Sequence, residues 1–320
     1  MYFNGQGRPN NIDGYSNTLP ASMGGNKTPF VDGEYLYGEA ESDWFERRAI
    51  MLIEIEDDFD LQKIALSGQC FRVRQFNDGT YRFVTEDSCV YIKDMGNRLF
   101  SVSSDMDEWN HVWRRYFDFD RCYRDIFDKE YNKHPFVDEA MQFGRGLRIL
   151  RQEPWEMLVT FIISQRKSIP AIATAVEALA TQYGHCIQTD LEVFRTFPTP
   201  HELKSISQED LEKCKLGYRT AYVFDAIQKV LSGVLDLQGL AEKDDEYILE
   251  SLQQVHGVGK KVANCVSLFA YGRISCVPVD VWISRAIENE CRGISPFHLF
   301  NENAGIIQQY IFYYEKCHQH

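Results

Sequence analysis

The spacing of hydrophobic and polar positions changes twice along this chain. Residues 1–50 are rich in Gly, Asn, Ser and Pro and show little periodicity, which predicts a poorly ordered leader, or an extension upstream of a natural start near Met51. Between Met51 and Val102 the apolar positions fall into short pieces. Segments 51–55, 70–75, 81–85, 89–93 and 99–102 read as strands, with Asn77-Asp78-Gly79 as a hairpin turn signal between two of them. After Asp105 the period becomes helical and stays so, predicting helices over 107–115, 119–128, 135–143, 154–165, 169–183, 208–215, 219–232, 245–255, 260–271, 280–290 and 303–316. Pro154 and Asp244 mark two of the helix starts. The pattern implies an α+β protein: a small antiparallel β-sheet domain with connecting helices over 51–150, then an all-helical domain over 151–320.

Composition narrows the class. Apolar residues make up 44% and charged residues 25%, ordinary for a globular protein, and no apolar run approaches the roughly twenty residues of a membrane span. With no basic and apolar signal at the N-terminus, a cytoplasmic, monomeric protein with no membrane partner is expected. Nine cysteines contain no C-x-x-C pair, which argues against a disulfide framework and against a cysteine-bound metal or cluster; no metal and no cofactor are expected. The net charge of −13 opposes nucleic-acid binding unless the charge is segregated. It is segregated. Residues 251–285 carry Lys260, Lys261, Arg273 and Arg285 against Asp280 alone, and residues 145–167 carry Arg145, Arg148, Arg151, Arg166 and Lys167 against Glu153 and Glu156. An acidic protein with a basic face is compatible with a DNA partner.

The sharpest chemical feature is His256-Gly257-Val258-Gly259-Lys260-Lys261 between two apolar helical stretches. Two glycines around one apolar residue permit a tight turn whose backbone N–H groups, at the start of the next helix, suit a phosphate oxygen. Val258 is expected to point inward and tie the turn to the core. This is the helix-hairpin-helix pattern, with Gly257, Val258 and Gly259 as DNA-binding positions. Lys261 lies just inside the following helix, and Cys265 stands one turn later on the same face. Val277-Pro278-Val279-Asp280 then places a carboxylate ahead of another helix, where it also suits an N-cap. A neutral lysine can attack C1′ of a deoxyribose and form a Schiff base, while an aspartate stabilises the cationic sugar and helps to deprotonate the amine. Lys261 and Asp280 are therefore the candidate catalytic pair.

At this point the sequence resembles the 8-oxoguanine DNA glycosylases of the HhH-GPD superfamily, in its bacterial-type branch. The stretches that carry the resemblance are Ser67-Gly68-Gln69-Cys70-Phe71-Arg72, Leu150-Arg151-Gln152-Glu153-Pro154-Trp155-Glu156 and Leu216-Gly217-Tyr218-Arg219, with the hairpin, the Val277–Val281 stretch and residues 304–312. The resemblance implies a bifunctional glycosylase and AP lyase acting on double-stranded DNA that contains oxidised guanine. Lys261 matches the nucleophile, Asp280 the catalytic aspartate, and Lys260 a neighbouring position that is not the nucleophile. Gly68 matches the glycine whose carbonyl accepts the N7 proton of 8-oxoguanine. Cys265 and Phe312 match the residues that sandwich the flipped base, and Gln308 the one that reads its Watson–Crick edge. Tyr218 and Arg219 match the wedge at the site of extrusion.

Three positions depart from the pattern. Arg166 replaces the asparagine that pairs with the orphaned cytosine, Ala171 falls where an arginine reads the same base, and Trp282 stands where a phosphate-binding histidine is common. Relaxed selectivity for the opposite base is expected. Alkyl-purine glycosylases of the superfamily generally lack a hairpin lysine, so Lys261 argues against that alternative. A non-catalytic helix-hairpin-helix module would need neither Asp280 nor the Gly68 and Gln308 pocket.

Overall fold

The computed structural model describes residues 50–318. The leader expected over residues 1–50 lies, but for its last residue, outside them. Five strands, β1 (Met51–Glu54), β2 (Arg74–Gln75), β3 (Tyr81–Thr85), β4 (Ser88–Gly96) and β5 (Leu99–Val102), form an antiparallel sheet in the order β1-β5-β4-β3-β2. The expected turn is present: Gly79 takes φ +86°, its N–H bonds to the Phe76 carbonyl at 3.1 Å, and Asp78 caps Thr80. The expected strand over 70–75 contracts to its last two residues. Of the preceding residues, Phe71 and Arg72 turn toward the helical domain, Arg72 buried and paired to Glu177 at 3.0 Å, while Cys70 and Val73 pack in the core of the sheet.

A short helix absent from the sequence reading, α1 (Leu61–Leu66), is capped by Asp60, whose carboxylate accepts the Lys63 N–H at 3.0 Å. It delivers the chain to Gly68. Residues 106–116 form one helical run, made of α2 (Met106–Glu108), a π-helical turn (Trp109–Trp113) and α3 (Arg114–Tyr116). Trp109, Trp113, Tyr116 and Phe117 cover one face of the sheet and build a core with Phe83, Ile92, Phe100 and Val102. The helix expected over 119–128 begins late, at α4 (Tyr123–Glu130), because Asp118 takes φ +54° and turns the chain first.

The second core gathers α4, α5 (Pro135–Gly144), α6 (Pro154–Ser164), α7 (Ile169–Tyr183), α8 (Gln208–Glu212), α9 (Thr220–Leu231), α10 (Asp245–Gln253), α11 (Lys260–Phe269), α12 (Val281–Glu290) and α13 (Ala304–His318). Helix α6 has every residue from Trp155 to Ile163 buried and is the spine of this domain. A two-stranded hairpin, β6 (Cys186–Gln188) with β7 (Val193–Arg195), interrupts the helices and was not foreseen, since three-residue strands leave almost no periodic signal. The α+β architecture of small antiparallel sheet and helical domain is as expected. Among the described residues, no helix is long and apolar enough to cross a membrane.

The last helix returns to the beginning of the fold. Gln309 on α13 donates from Nε2 to the Ser67 carbonyl at 2.9 Å, and Lys316 hydrogen-bonds the Leu66 carbonyl. This closes α13 over the loop that carries Gly68.

Candidate active site

The hairpin forms as its two glycines require. After α10, the Val258 N–H bonds to the Val255 carbonyl at 3.0 Å, and Gly257 takes φ +79°, a conformation that suits glycine. A Cβ on Gly257 would meet the Tyr222 ring at 2.2 Å, so the close approach also excludes a side chain. Val258 is buried in the helical core, as expected. Gly259 is the N-cap of α11 and no side chain caps that helix, so its first amides stay available to an anion.

Lys260 is exposed while Lys261 is half-buried. The Lys261 Nζ lies 5.4 Å over the centre of the Phe161 ring on α6. One turn on, Cys265 is almost fully buried. Burial pushes its thiol pKa up; the Lys261 ammonium, as charge and as hydrogen-bond partner, pulls the other way, and the Asp280 carboxylate adds to the rise. Lys261, Cys265 and Asp280 therefore occupy one electrostatic neighbourhood.

Asp280 is the N-cap of α12, with Oδ1 accepting the Ile283 N–H at 3.0 Å. The loop before it is fixed by a residue that sequence reading missed. Asn264 donates from Nδ2 to the Lys260 carbonyl at 2.8 Å and accepts the Val277 N–H on Oδ1 at 3.1 Å. One side chain thus ties the start of the lysine helix to the strand of loop that presents Asp280. Its only signal in the sequence was a position three residues after Lys261.

The second group of residues meets at α13. Gly68 takes φ +82°, and a Cβ there would approach Phe312 Cε1 to 3.0 Å and Ile169 Cδ1 to 3.4 Å. Gln308, one turn before Phe312, is buried, and its Oε1 has no hydrogen-bond partner among the described residues. A buried amide oxygen left without a donor is costly, roughly 1–3 kcal/mol. The Gly68 loop itself is held by Gln69, which is fully buried. Its Nε2 donates to Ser67 Oγ at 2.9 Å and the Arg148 carbonyl at 2.7 Å, and its Oε1 accepts the Leu150 N–H at 2.7 Å. Gln152 completes the clamp by donating to the Gln69 carbonyl at 2.8 Å. Phe161 links the two groups: its face carries Lys261, and its ring meets Phe71 of the Gly68 segment edge-on at 6.3 Å.

Of the two residues expected to form a wedge, Tyr218 is exposed, but Arg219 is buried. The Arg219 guanidinium lies 4.3 Å from the centre of the Tyr218 ring and donates to the Leu216 carbonyl at 3.2 Å and to the Gln165 carbonyl. It braces the loop after α6. Arg166, next to that carbonyl, takes φ +53° and is exposed, whereas Lys167 is tied to the Lys215 carbonyl at 3.0 Å. Among the described residues, no group of three or more His, Cys, Asp or Glu side chains is placed to hold a metal ion.

Residues 51–158 match the family described as "8-oxoguanine DNA glycosylase, N-terminal domain", and residues 159–295 match "HhH-GPD superfamily base excision DNA repair protein". An N-glycosylase/DNA lyase of Saccharomyces cerevisiae is 33% identical over 191 residues, 55% of this chain and 50% of that protein. The chain spans about half the length of the curated relatives it matches. Solved structures align over more. MBOgg1 in complex with a low-affinity DNA ligand is 38% identical with a TM-score of 0.80, covering 85% of this chain and 96% of that one. The Clostridium acetobutylicum 8-oxoguanine glycosylase/lyase, in complex with double-stranded DNA containing cytosine opposite 8-oxoguanine, is 30% identical with a TM-score of 0.77, covering 83% and 97%.

Proposed function

The chain belongs to the 8-oxoguanine DNA glycosylases of the HhH-GPD superfamily, and from that premise we propose that it is a bifunctional glycosylase and AP lyase of base excision repair, excising 8-oxoguanine from duplex DNA. What carries this reading is Lys261 and Cys265 one turn apart on α11, beside an uncapped glycine hairpin, with Asn264 tying the start of that helix to the loop that ends at the Asp280 N-cap.

The hairpin amides hold a DNA phosphate, and the damaged nucleotide is turned out of the stack. Lys261 gives up a proton and its amine attacks C1′; the C1′–N9 bond breaks and its electron pair leaves with the base, which takes up a proton. Opening of the sugar leaves a protonated imine between Nζ and C1′. Loss of a C2′ proton then expels the 3′-phosphate, which cuts the strand. Asp280 faces the positive charge that develops at C1′ and helps to take the proton from the attacking amine.

Gly68, Cys265, Gln308 and Phe312 form the base pocket in this reading. The open Gln308 Oε1 suits the N1–H and N2–H donors of a guanine edge, where an adenine would present a second acceptor at N1. The Gly68 carbonyl accepts the N7 proton that 8-oxoguanine carries and guanine lacks, and Gly68 lies beside Phe312, one of the two residues assigned to the sandwich. Tyr218 fills the vacated stack, Arg166 faces the orphaned base, and Arg219 supports both through the Gln165 carbonyl.

The test is base release from duplexes carrying 8-oxoguanine, undamaged guanine or an alkylated purine. Release of 8-oxoguanine alone is expected. Release of the alkylated purine alone would move the chain to the alkyl-purine branch and leave Lys261 without its role.

A further inference from the structure

Helix α9 underlies the hairpin, and two of its residues hold it from below. Tyr222 places its ring where a Cβ on Gly257 would be, 2.2 Å from the nearest ring carbon, and meets the His256 ring edge-on at 4.7 Å. Asp225, three residues on, accepts the His256 backbone N–H on Oδ2 at 2.7 Å. The same oxygen accepts the Lys229 ammonium at 2.6 Å. Burial disfavours the charged carboxylate, but the Lys229 and His256 hydrogen bonds outweigh it and hold its pKa below the usual range.

A carboxylate beside a turn that binds phosphate is electrostatically adverse to DNA binding. Lys229 offsets that charge, which leaves the acceptor function of Asp225 as its physical use. The turn needs such an acceptor. Hairpin amides can converge on a phosphate only if the backbone entering Gly257 is fixed, since glycine itself imposes no conformation. Tyr222 closes one side of the turn and Asp225 pins the residue before it.

We propose that Asp225 and Tyr222 are positioning residues for phosphate binding: they hold His256 and Gly257 so that the amides at the start of α11 meet one DNA phosphate. The inference rests on the glycosylase reading of the hairpin. It also accounts for the contact between Tyr222 and Tyr218, whose rings meet edge-on at 5.8 Å and join the wedge residue to the same support.

The experiment compares wild type with Asp225→Ala, Asp225→Asn and Tyr222→Leu on duplexes containing a tetrahydrofuran abasic analogue. Binding is measured for the unmodified duplex and for a series with one neutral methylphosphonate at each successive position. Wild type should lose affinity sharply at one position, where the hairpin amides grip. Asp225→Ala and Tyr222→Leu should bind the unmodified duplex about tenfold more weakly and lose the sensitivity at that position. Asp225→Asn keeps an oxygen acceptor and should keep the wild-type pattern. Melting temperatures, and single-turnover rates with saturating enzyme, separate this from general damage to the fold, because a merely destabilised protein retains the methylphosphonate pattern. If Asp225→Ala keeps the position-specific loss, or Asp225→Asn behaves as Asp225→Ala, the inference is overturned. If wild type shows no preference for the abasic analogue over an intact duplex, it is the glycosylase reading that fails.

Discussion

The Lys261 amine lies 5.4 Å above the centre of the Phe161 ring, and that ring is held in turn by a stacked contact with Phe269 at 5.4 Å. Lys261, the proposed nucleophile, thus lies over an aromatic floor from the deeply buried helix α6, with Cys265 and Asp280 as its proposed polar surroundings. Replacing Phe161 with leucine removes the floor and leaves the hairpin alone. Single-turnover excision by Phe161→Leu should slow by about threefold to thirtyfold, with affinity for an abasic-analogue duplex within about twofold of wild type. An equal loss in affinity would show that the ring supports the hairpin and not the amine.

The proposed role of Gln308 separates the two activities: an Oε1 that reads the base is not needed by a substrate already lacking it. Gln308→Leu should lower the rate of 8-oxoguanine excision by about 10- to 100-fold, the equivalent of one buried hydrogen bond to a guanine edge. Strand cleavage at a preformed abasic site should stay close to wild type. Parallel loss of both would place Gln308 in the general fold of the site.

Glu156 makes stability depend on pH. Burial lifts its pKa to about 7; Arg72, 4.0 Å away, is too distant to offset this, and Glu153 and Glu177 add to the rise. A carboxyl that holds its proton more tightly when folded means that the native state binds more protons than the unfolded chain between its ordinary value and 7. Stability therefore falls as pH rises through that window and stays lower above it. Chemical denaturation at pH 5 and pH 8 should show wild type losing about 1–3 kcal/mol more than Glu156→Gln, the buried Arg72 neighbour limiting the gain. Equal losses would mean that Glu156 is ionised throughout at no cost.

The parts of the site legible in the sequence are those set by local spacing. Gly257 and Gly259 announce a turn, Lys261 and Cys265 share a helix face, and Asp280 reads as a cap before it reads as chemistry. What was not legible depends on residues far apart in the chain. Gln69 reaches Arg148 and Leu150, and Gln309 reaches Ser67, across separations that no periodicity encodes. Arg219 shows the same limit: next to an exposed tyrosine it reads as a DNA contact, yet its guanidinium is buried against the Gln165 carbonyl. The β6–β7 hairpin and α1 were missed because each is too short for its pattern to rise above composition.

The proposed reading places Arg166 opposite the orphaned base. It is exposed on a left-handed backbone beside the braced Gln165 carbonyl, with Ala171 unable to contribute a hydrogen bond from its side chain. Excision opposite cytosine, thymine, guanine and adenine should vary by less than about a hundredfold, because a single flexible cation discriminates less than a set of fixed donors. Arg166→Ala should flatten the series further. A series as steep in Arg166→Ala as in wild type would remove Arg166 from base reading.

The central claim, covalent chemistry at Lys261, is tested most directly by borohydride trapping on a duplex carrying 8-oxoguanine, with wild type and Lys261→Gln side by side. The account predicts a stable protein–DNA adduct in wild type and none in Lys261→Gln, with DNA binding retained by both. An adduct of equal yield in Lys261→Gln would place the Schiff base on another amine and contradict the assignment, as would base release by wild type with no adduct at all.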